Sequence, residues 1–304
     1  VSWARRCVQE TDLMFGKIKF LFSRILKQLS PVFYVKQKYY RIFGTSLDLV
    51  NPQGFNEKIC WLALYWQKPI VVKCADKYEL REYVSSLGLM ELMPQLYGVY
   101  TDVKGIEWNR FPKKFVIKCT HGCKYNIVCF NKDELDIHSA DISLNKWLHS
   151  VYGTNTYEPH YSKMTPRIIA EEFIETSERG LPEDYKVYCF NGEPKCVLVC
   201  LNRESELVLE WYDLEWNVFD IGAKSNMRRA NKPACLDQMI KYARILSKGF
   251  PFVRVDFYDS FGKPILGEMT FTPMYGMAKY YSKEGNLLLG SMLTLPNKYK
   301  GHFE

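Results

Sequence analysis

A strand-like run from Asp184 to Phe190 meets a second run, Pro194 to Cys200, across Asn191-Gly192. Asn-Gly between two β-rich runs marks a two-residue hairpin, because both turn positions need positive φ. Whatever else this chain forms, it must build antiparallel sheet here. Strand side chains alternate between faces, so Asp184 and Lys186 share one. A second hairpin is predicted further on: Arg254-Val255-Asp256-Phe257, a turn signal over Asp259–Pro264, and a returning strand through Glu268 and Thr270. Arg254 and Asp256 lie on one face, and pairing brings Glu268 and Thr270 beside them. Read from the residues alone, this cluster has two meanings. It is an oxygen-rich site for Mg²⁺ on nucleotide phosphates, the donor set Mg²⁺ favours, or a salt bridge on a solvated hairpin.

The chain has 304 residues, more than one core usually supports, so two or three subdomains are expected. Its aromatic content of 15%, with 21 Tyr, favours a well-packed interior and a sugar-contacting surface. The formal charge of +7 suits anionic ligands such as nucleotides, acidic glycans or anionic lipid. No basic run is dense enough for nucleic acid. None of the ten cysteines forms a C-x-x-C pair, and Cys74, Cys119, Cys129, Cys189, Cys196 and Cys200 sit in apolar runs, where Cys acts as a small hydrophobe. A reducing, cytoplasmic location is expected. No membrane-spanning run or signal peptide is visible. P-loop and Rossmann fingerprints, a D-x-D triplet and a G-x-S-x-G elbow are all missing.

Residues 1–13 look unlike the rest of the chain, and Met14 is a natural start. Residues 14–29 form a basic amphipathic helix, with Lys17, Lys19, Arg24 and Lys27 opposite the apolar face. Such a helix lies on an anionic membrane surface or packs on the protein's own body. From Val32 to about Gln67 the pattern is helical, and Pro69–Lys77 reads as an apolar segment leading into a helix through Leu87, with Asp76 as its N-cap and Lys77 pointing at a phosphate or at water. A buried strand over Phe111–Cys119 ends in a polar loop, Thr120–Asn126, and strand Ile127–Phe130 returns. Loop N–H groups there would face an anion, or the loop is a bare turn. Lys118, at the strand end, would meet a phosphate as a point charge. Helix is expected over Ile142–His149 and residues 233–249. Arg167–Ile174 reads as a strand running into two acids, and Gly276 onward as helix or loop.

In order, Lys118 with His121-Gly122, Glu171-Glu172-Phe173-Ile174, Asp184-Tyr185-Lys186, Arg254-Val255-Asp256 and Glu268-Met269-Thr270 with Pro273 and Gly276 resemble the ATP-grasp superfamily. Phe55-Asn56-Glu57-Lys58, Cys74-Ala75-Asp76-Lys77-Tyr78 and Gly267-Glu268-Met269-Thr270-Phe271 narrow the resemblance to its TupA-like branch, found in surface-polysaccharide and teichuronopeptide pathways. The resemblance implies an α+β ATP-grasp fold, two α+β subdomains clasping ATP between antiparallel sheets, preceded by a mainly helical N-terminal region. It implies residues 1–66 as that region, 67–110 as a preceding segment, 111–170 as the small subdomain and 171–304 as the C-terminal subdomain with the Mg²⁺ site.

The resemblance also assigns roles. Lys118 would contact the α/β-phosphates, with His121, Gly122 and Lys124 in the phosphate loop. Glu171 would meet the adenine amino group, the backbone of Glu172 and Ile174 the ring edge, and Asp184 the ribose. Asp256, Glu268 and Thr270 would hold Mg²⁺, Lys186 would bring a second cation toward the phosphates, and Arg254 would face the transferring phosphoryl group and the developing oxyanion. Two departures stand out: Cys123-Lys124 replaces small residues in the phosphate loop, and Thr270 replaces an Asn. The implied activity is an ADP-forming carboxylate–amine ligase working through an acyl phosphate. Its substrates would be ATP, a carboxylate-bearing glycan or sugar precursor such as a uronic acid, and an amine or amino acid. Alternatives are a glycosyltransferase, a non-catalytic ATP-binding assembly protein, or a sugar kinase of the same fold. Residues 14–29 would touch the inner face of the cell membrane.

Overall fold

The computed structural model describes residues 26–153, 155–176, 182–201, 207–222 and 230–299. After residues 26–29, which are helical, come α1 (Pro31–Phe43), α2 (Phe55–Tyr65), α3 (Pro69–Ala75) and α4 (Leu80–Ser86). Pro31 and Pro69 open their helices, where the missing N–H costs nothing and φ is already helical. The apolar lead-in expected over Pro69–Lys77 is thus itself helix as far as Ala75. Asp76 then turns the chain, its Oδ1 accepting from the amides of Tyr78 (2.8 Å) and Glu79 (3.0 Å) ahead of α4.

Next come β1 (Leu96–Tyr100), β2 (Phe115–Cys119), β3 (Asn126–Cys129), α5 (Ile137–Leu148) and β4 (Ile168–Glu172). These strands form an antiparallel sheet in the order β1-β4-β2-β3. It draws β1 from before residue 111, and β4 crosses residue 170. The rest of the chain supplies β5 (Asp184–Phe190), β6 (Glu193–Leu201), β7 (Val208–Tyr212), α6 (Leu236–Leu246), β8 (Phe252–Ser260), β9 (Lys263–Thr270) and α7 (Lys283–Ser291). Asn191 (φ 50°) and Gly192 (φ 87°) close the first predicted hairpin with the positive dihedrals it needs. Phe261 (φ 51°) and Gly262 (φ 84°) close the second. Because β5 also pairs with β8, the hairpins fuse into a five-stranded antiparallel sheet, β7-β6-β5-β8-β9. The chain thus has the expected α+β architecture of two antiparallel sheets after a helical N-terminal region.

Each sheet has its own core. Behind the four-stranded sheet, Phe115, Ile117, Cys119, Ile168 and Ala170 pack on Ala140, Leu144 and Leu148 of α5. Behind the five-stranded sheet, Val187 and Cys189 meet α6, with the Cys189 thiol 3.9 Å from the Ala243 carbonyl. Its other face changes character along its length. At one end Tyr188, Phe190 and Phe252 crowd around Phe55 of α2, with ring centroids 4.9–6.1 Å apart. At the other end the same face carries Asp184, Lys186 and Asp256 and is left open. Burying aromatics of this size contributes about 1.5–3 kcal/mol each, so α2 anchors the sheet whose free end holds the charged residues.

Of the amphipathic helix expected at 14–29, residues 14–25 lie outside the described residues, as do residues 1–13. At its end, Leu26 packs on the larger core and the Lys27 ammonium donates to the Gly153 carbonyl (2.6 Å). Among the described residues no helix is long and apolar enough to cross a membrane.

Candidate active site between the two sheets

The period of 2 that buries Phe115, Ile117 and Cys119 turns Val116 and Lys118 to the opposite face of β2, where they line a cleft of about 350 Å³. Glu171 faces the same cleft from β4, opposite Val116 in register. The far wall is the five-stranded sheet. There Lys186, Asp256 and Glu268 stand in one row across β5, β8 and β9. The β8–β9 register shifts between Asp256 and Phe257, a bulge of the kind that re-aims side chains beside functional sites.

Charge pairing is dense on both walls. Lys186 Nζ donates to Asp184 (2.5 Å) and Asp256 (2.6 Å). Arg254 donates to Asp256 through Nε (2.7 Å) and Nη2 (2.6 Å), and Nη2 also reaches Glu268 (3.2 Å) and the Thr270 hydroxyl (3.0 Å). Burial pulls the Lys186 ammonium down, but Asp184 and Asp256 outweigh it and hold its pKa well above the ordinary lysine range. Burial likewise pushes Glu268 up, yet the charges of Lys77, Arg254 and Lys186 prevail and hold it at about 2. On the facing wall Glu171 is buried between Lys118 (2.5 Å) and Arg81 (2.9 Å). Burial raises its pKa, and those two cations bring it below the usual carboxylate range.

Ten of the residues singled out in the sequence line this cleft: Lys118, Gly122, Lys124, Glu171, Glu172, Ile174, Asp184, Lys186, Asp256 and Glu268. Arg254 and Thr270 sit one ladder step further along, paired with each other in register and outside the lining. His121 does not join them. Its imidazole is buried on the inner side of the loop, with Nε2 3.2 Å from the Ser150 carbonyl and its ring against Tyr125. That corrects its expected place in a phosphate-facing loop, because the Ser150 carbonyl and the Tyr125 ring draw the side chain inward.

Two further cations stand here, and sequence reasoning missed the second, Arg81. Lys77 lines the cleft and donates to the Gly122 carbonyl at 2.6 Å, so it holds the loop whose amides would face an anion. Arg81 follows one helical turn later. Loop 120–125 is tight: Lys124 has φ 63°, and a Cβ on Gly122 would stand 2.7 Å from the Tyr125 ring.

Among the described residues no three His, Cys, Asp or Glu side chains cluster closely enough to hold a metal alone. Asp256 and Glu268, opposite each other on the ladder, still fit a hard cation shared with phosphate oxygens, since Mg²⁺ needs only one or two carboxylates from the protein.

Residues 57–294 match the family described as TupA-like ATPgrasp. Among solved structures the chain is similar to a D-alanine–D-alanine ligase from Bacillus anthracis complexed with ATP, at 15% identity and a TM-score of 0.45, covering 72% of this chain and 61% of that one. It is similar to the D-cycloserine synthetase DcsG at 16% identity and a TM-score of 0.41, covering 74% and 70%. A D-alanine–D-alanine ligase from Helicobacter pylori matches at 15% identity and a TM-score of 0.40, covering 80% and 71%. The chain therefore spans about three fifths of the Bacillus anthracis ligase's length. No curated protein matches it.

Proposed function

The chain belongs to the TupA-like ATP-grasp family, and from that premise we propose that it is an ATP-dependent carboxylate–amine ligase. One arrangement supports this reading above all. Lys118 and Glu171 on one sheet face Asp184, Lys186, Asp256 and Glu268 on the other, across a cleft of about 350 Å³. A triphosphate nucleotide needs that division of labour: cations for its phosphates, and acids for its ribose and metal.

In this reading Lys118, Lys77 and Lys124 present charge to the phosphates from one wall. Glu171 meets the adenine amino group, and the backbone of Glu172 and Ile174, where β4 leaves the ladder, takes the ring edge. Asp184 holds the ribose. Asp256 and Glu268 would hold Mg²⁺, with Thr270 beside them; when bound, Mg²⁺ neutralises charge on the phosphates. Arg254 and Lys186, fixed by Asp256, stand ready as preorganised charge for the transferring phosphoryl group, which costs no reorganisation at the moment of reaction.

A carboxylate is a poor electrophile, so ATP first converts it to an acyl phosphate and releases ADP. An amine then attacks the acyl carbon, the C–N bond forms and phosphate leaves. A walled cleft protects that intermediate from water. The substrate class that fits the +7 chain and the family is a carboxyl-bearing sugar of a cell-surface polysaccharide precursor, joined to an amino acid or amine. The work is done in the cytoplasm, with residues 14–29 at the membrane face.

A mass-spectrometric screen of uronic acids against amino acids, scored for ADP-forming condensation, tests the proposal. Product and ADP that require both co-substrates are expected. Stabilisation by a UDP-sugar but not by ATP would overturn it in favour of a glycosyltransferase. ATP binding with no turnover across the panel would leave a non-catalytic nucleotide-binding role. Liposome binding that survives deletion of residues 1–30 would remove the membrane contact.

A further inference from the structure

We propose that Arg81 is a positioning residue that frees Lys118 for the nucleotide, by holding Glu171 when Lys118 lets go. The inference rests on the reading of the cleft as an ATP site. It begins from a charge count: one buried carboxylate, Glu171, is shared by two cations. Arg81 Nη2 reaches Oε1 at 2.9 Å, and Lys118 Nζ reaches Oε2 at 2.5 Å. The side chains are 10%, 3% and 18% exposed for Arg81, Glu171 and Lys118.

The two cations are not equivalent. Lys118 lines the cleft, whereas Arg81 stands behind it on α4 and is tied down a second time by the Pro94 carbonyl (2.6 Å). A phosphate entering the cleft competes with Glu171 for Lys118 and cannot compete for Arg81. Without Arg81, moving Lys118 onto a phosphate would strand a buried carboxylate, an unfavourable state because the remaining charge has no partner. With Arg81 in place the carboxylate keeps one cation throughout, and Lys118 moves at low cost. Arginine suits the task, since its Nη2 serves Glu171 and Pro94 together and it stays charged when buried.

Arg81 also steadies the strand end beside it. The segment it grips continues into Gln95, whose carbonyl accepts from the Glu172 amide (2.9 Å) and whose amide donates to the Glu172 carboxylate (3.2 Å).

The test measures binding of ATP and of adenosine, which has no phosphate to draw Lys118, to the full chain carrying R81M, R81K or R81M/E171Q. R81M should weaken ATP by about tenfold, equal to about 1.4 kcal/mol, with adenosine changed by less than about twofold. R81K should keep ATP within about threefold of wild type, and R81M/E171Q should bind ATP as E171Q alone does, because nothing then pins Lys118. Equal losses for ATP and adenosine in R81M would make Arg81 a mere prop and overturn the inference, as would unchanged ATP affinity. If R81M does not fold, E171Q compared with R81M/E171Q carries the test: equal ATP affinity supports the role and unequal affinity overturns it. Failure of the wild-type chain to bind ATP would overturn the ligase reading itself, and the inference with it.

Discussion

Asp256→Asn is the most informative single substitution in the charged row. The native row sets three acids, Asp184, Asp256 and Glu268, against two cations, Lys186 and Arg254. Asp256 is 1% exposed and accepts from both cations. With Asn in its place two acids face two cations, and each cation keeps one partner: Lys186 has Asp184 at 2.5 Å and Arg254 has Glu268 at 3.2 Å. Neither cation is stranded, so the cost belongs at the low end of the range for breaking a buried pair, about 3 kcal/mol. At about 2 °C per kcal/mol for a chain of this length, Tm should fall by about 6 °C. Scanning calorimetry at neutral pH without nucleotide measures this, and Asp256→Ala, which also removes the acceptor oxygen, should fall further. A Tm for Asp256→Asn within about 1 °C of wild type would refute the claim that the row is a mutually dependent ion cluster.

Gly122→Ala places a Cβ 2.7 Å from the Tyr125 ring and 2.9 Å from the Tyr152 ring; it should cost about 1–3 kcal/mol and raise KM for ATP, read by melting and steady-state kinetics. Glu268, held at about 2 against an ordinary 4.5, contributes stability that is present above 4.5 and lost as pH falls from there through about 2. Because its side chain is 33% exposed, screening limits this to about 1–2 kcal/mol, and acid titrations should show a shallower acid limb in Glu268→Gln; identical limbs would contradict it. Cys123 is the one described cysteine not fully buried, whereas burial pushes Cys119 and Cys189 up to about 12. A thiol reagent should therefore label Cys123 first among the described cysteines, and ATP should slow it; faster labelling at Cys119 or no protection by ATP, read by peptide mass spectrometry, would count against the site.

The hairpins and the acids on them were legible because strand chemistry is local. Asn191-Gly192 dictates its own turn, and a spacing of two puts Asp184 with Lys186, and Arg254 with Asp256, on one face whatever the sheet around them does. Position across sheets was not legible. Lys77 reads as facing a phosphate or water, but nothing near residue 81 announces that α4 delivers Arg81 to Glu171, 90 residues away. β1, five half-buried residues at Leu96–Tyr100, has no alternation to betray it. His121 reads as a loop residue facing a ligand, yet the Ser150 carbonyl, 29 residues later, turns it inward. Pro69–Ala75 is rich in β-branched residues, but Pro at the first turn and packing of Val71 and Cys74 in the core make it helix.

Calorimetric titration of ATP into the full chain, with Mg²⁺ and again with EDTA, bears most directly on whether the cleft is a nucleotide site. One saturable site is predicted, tightened by Mg²⁺, weakened by Lys118→Met and deprived of its Mg²⁺ dependence by Glu268→Gln. No binding by the wild-type chain, or equal binding with and without Mg²⁺, would contradict it.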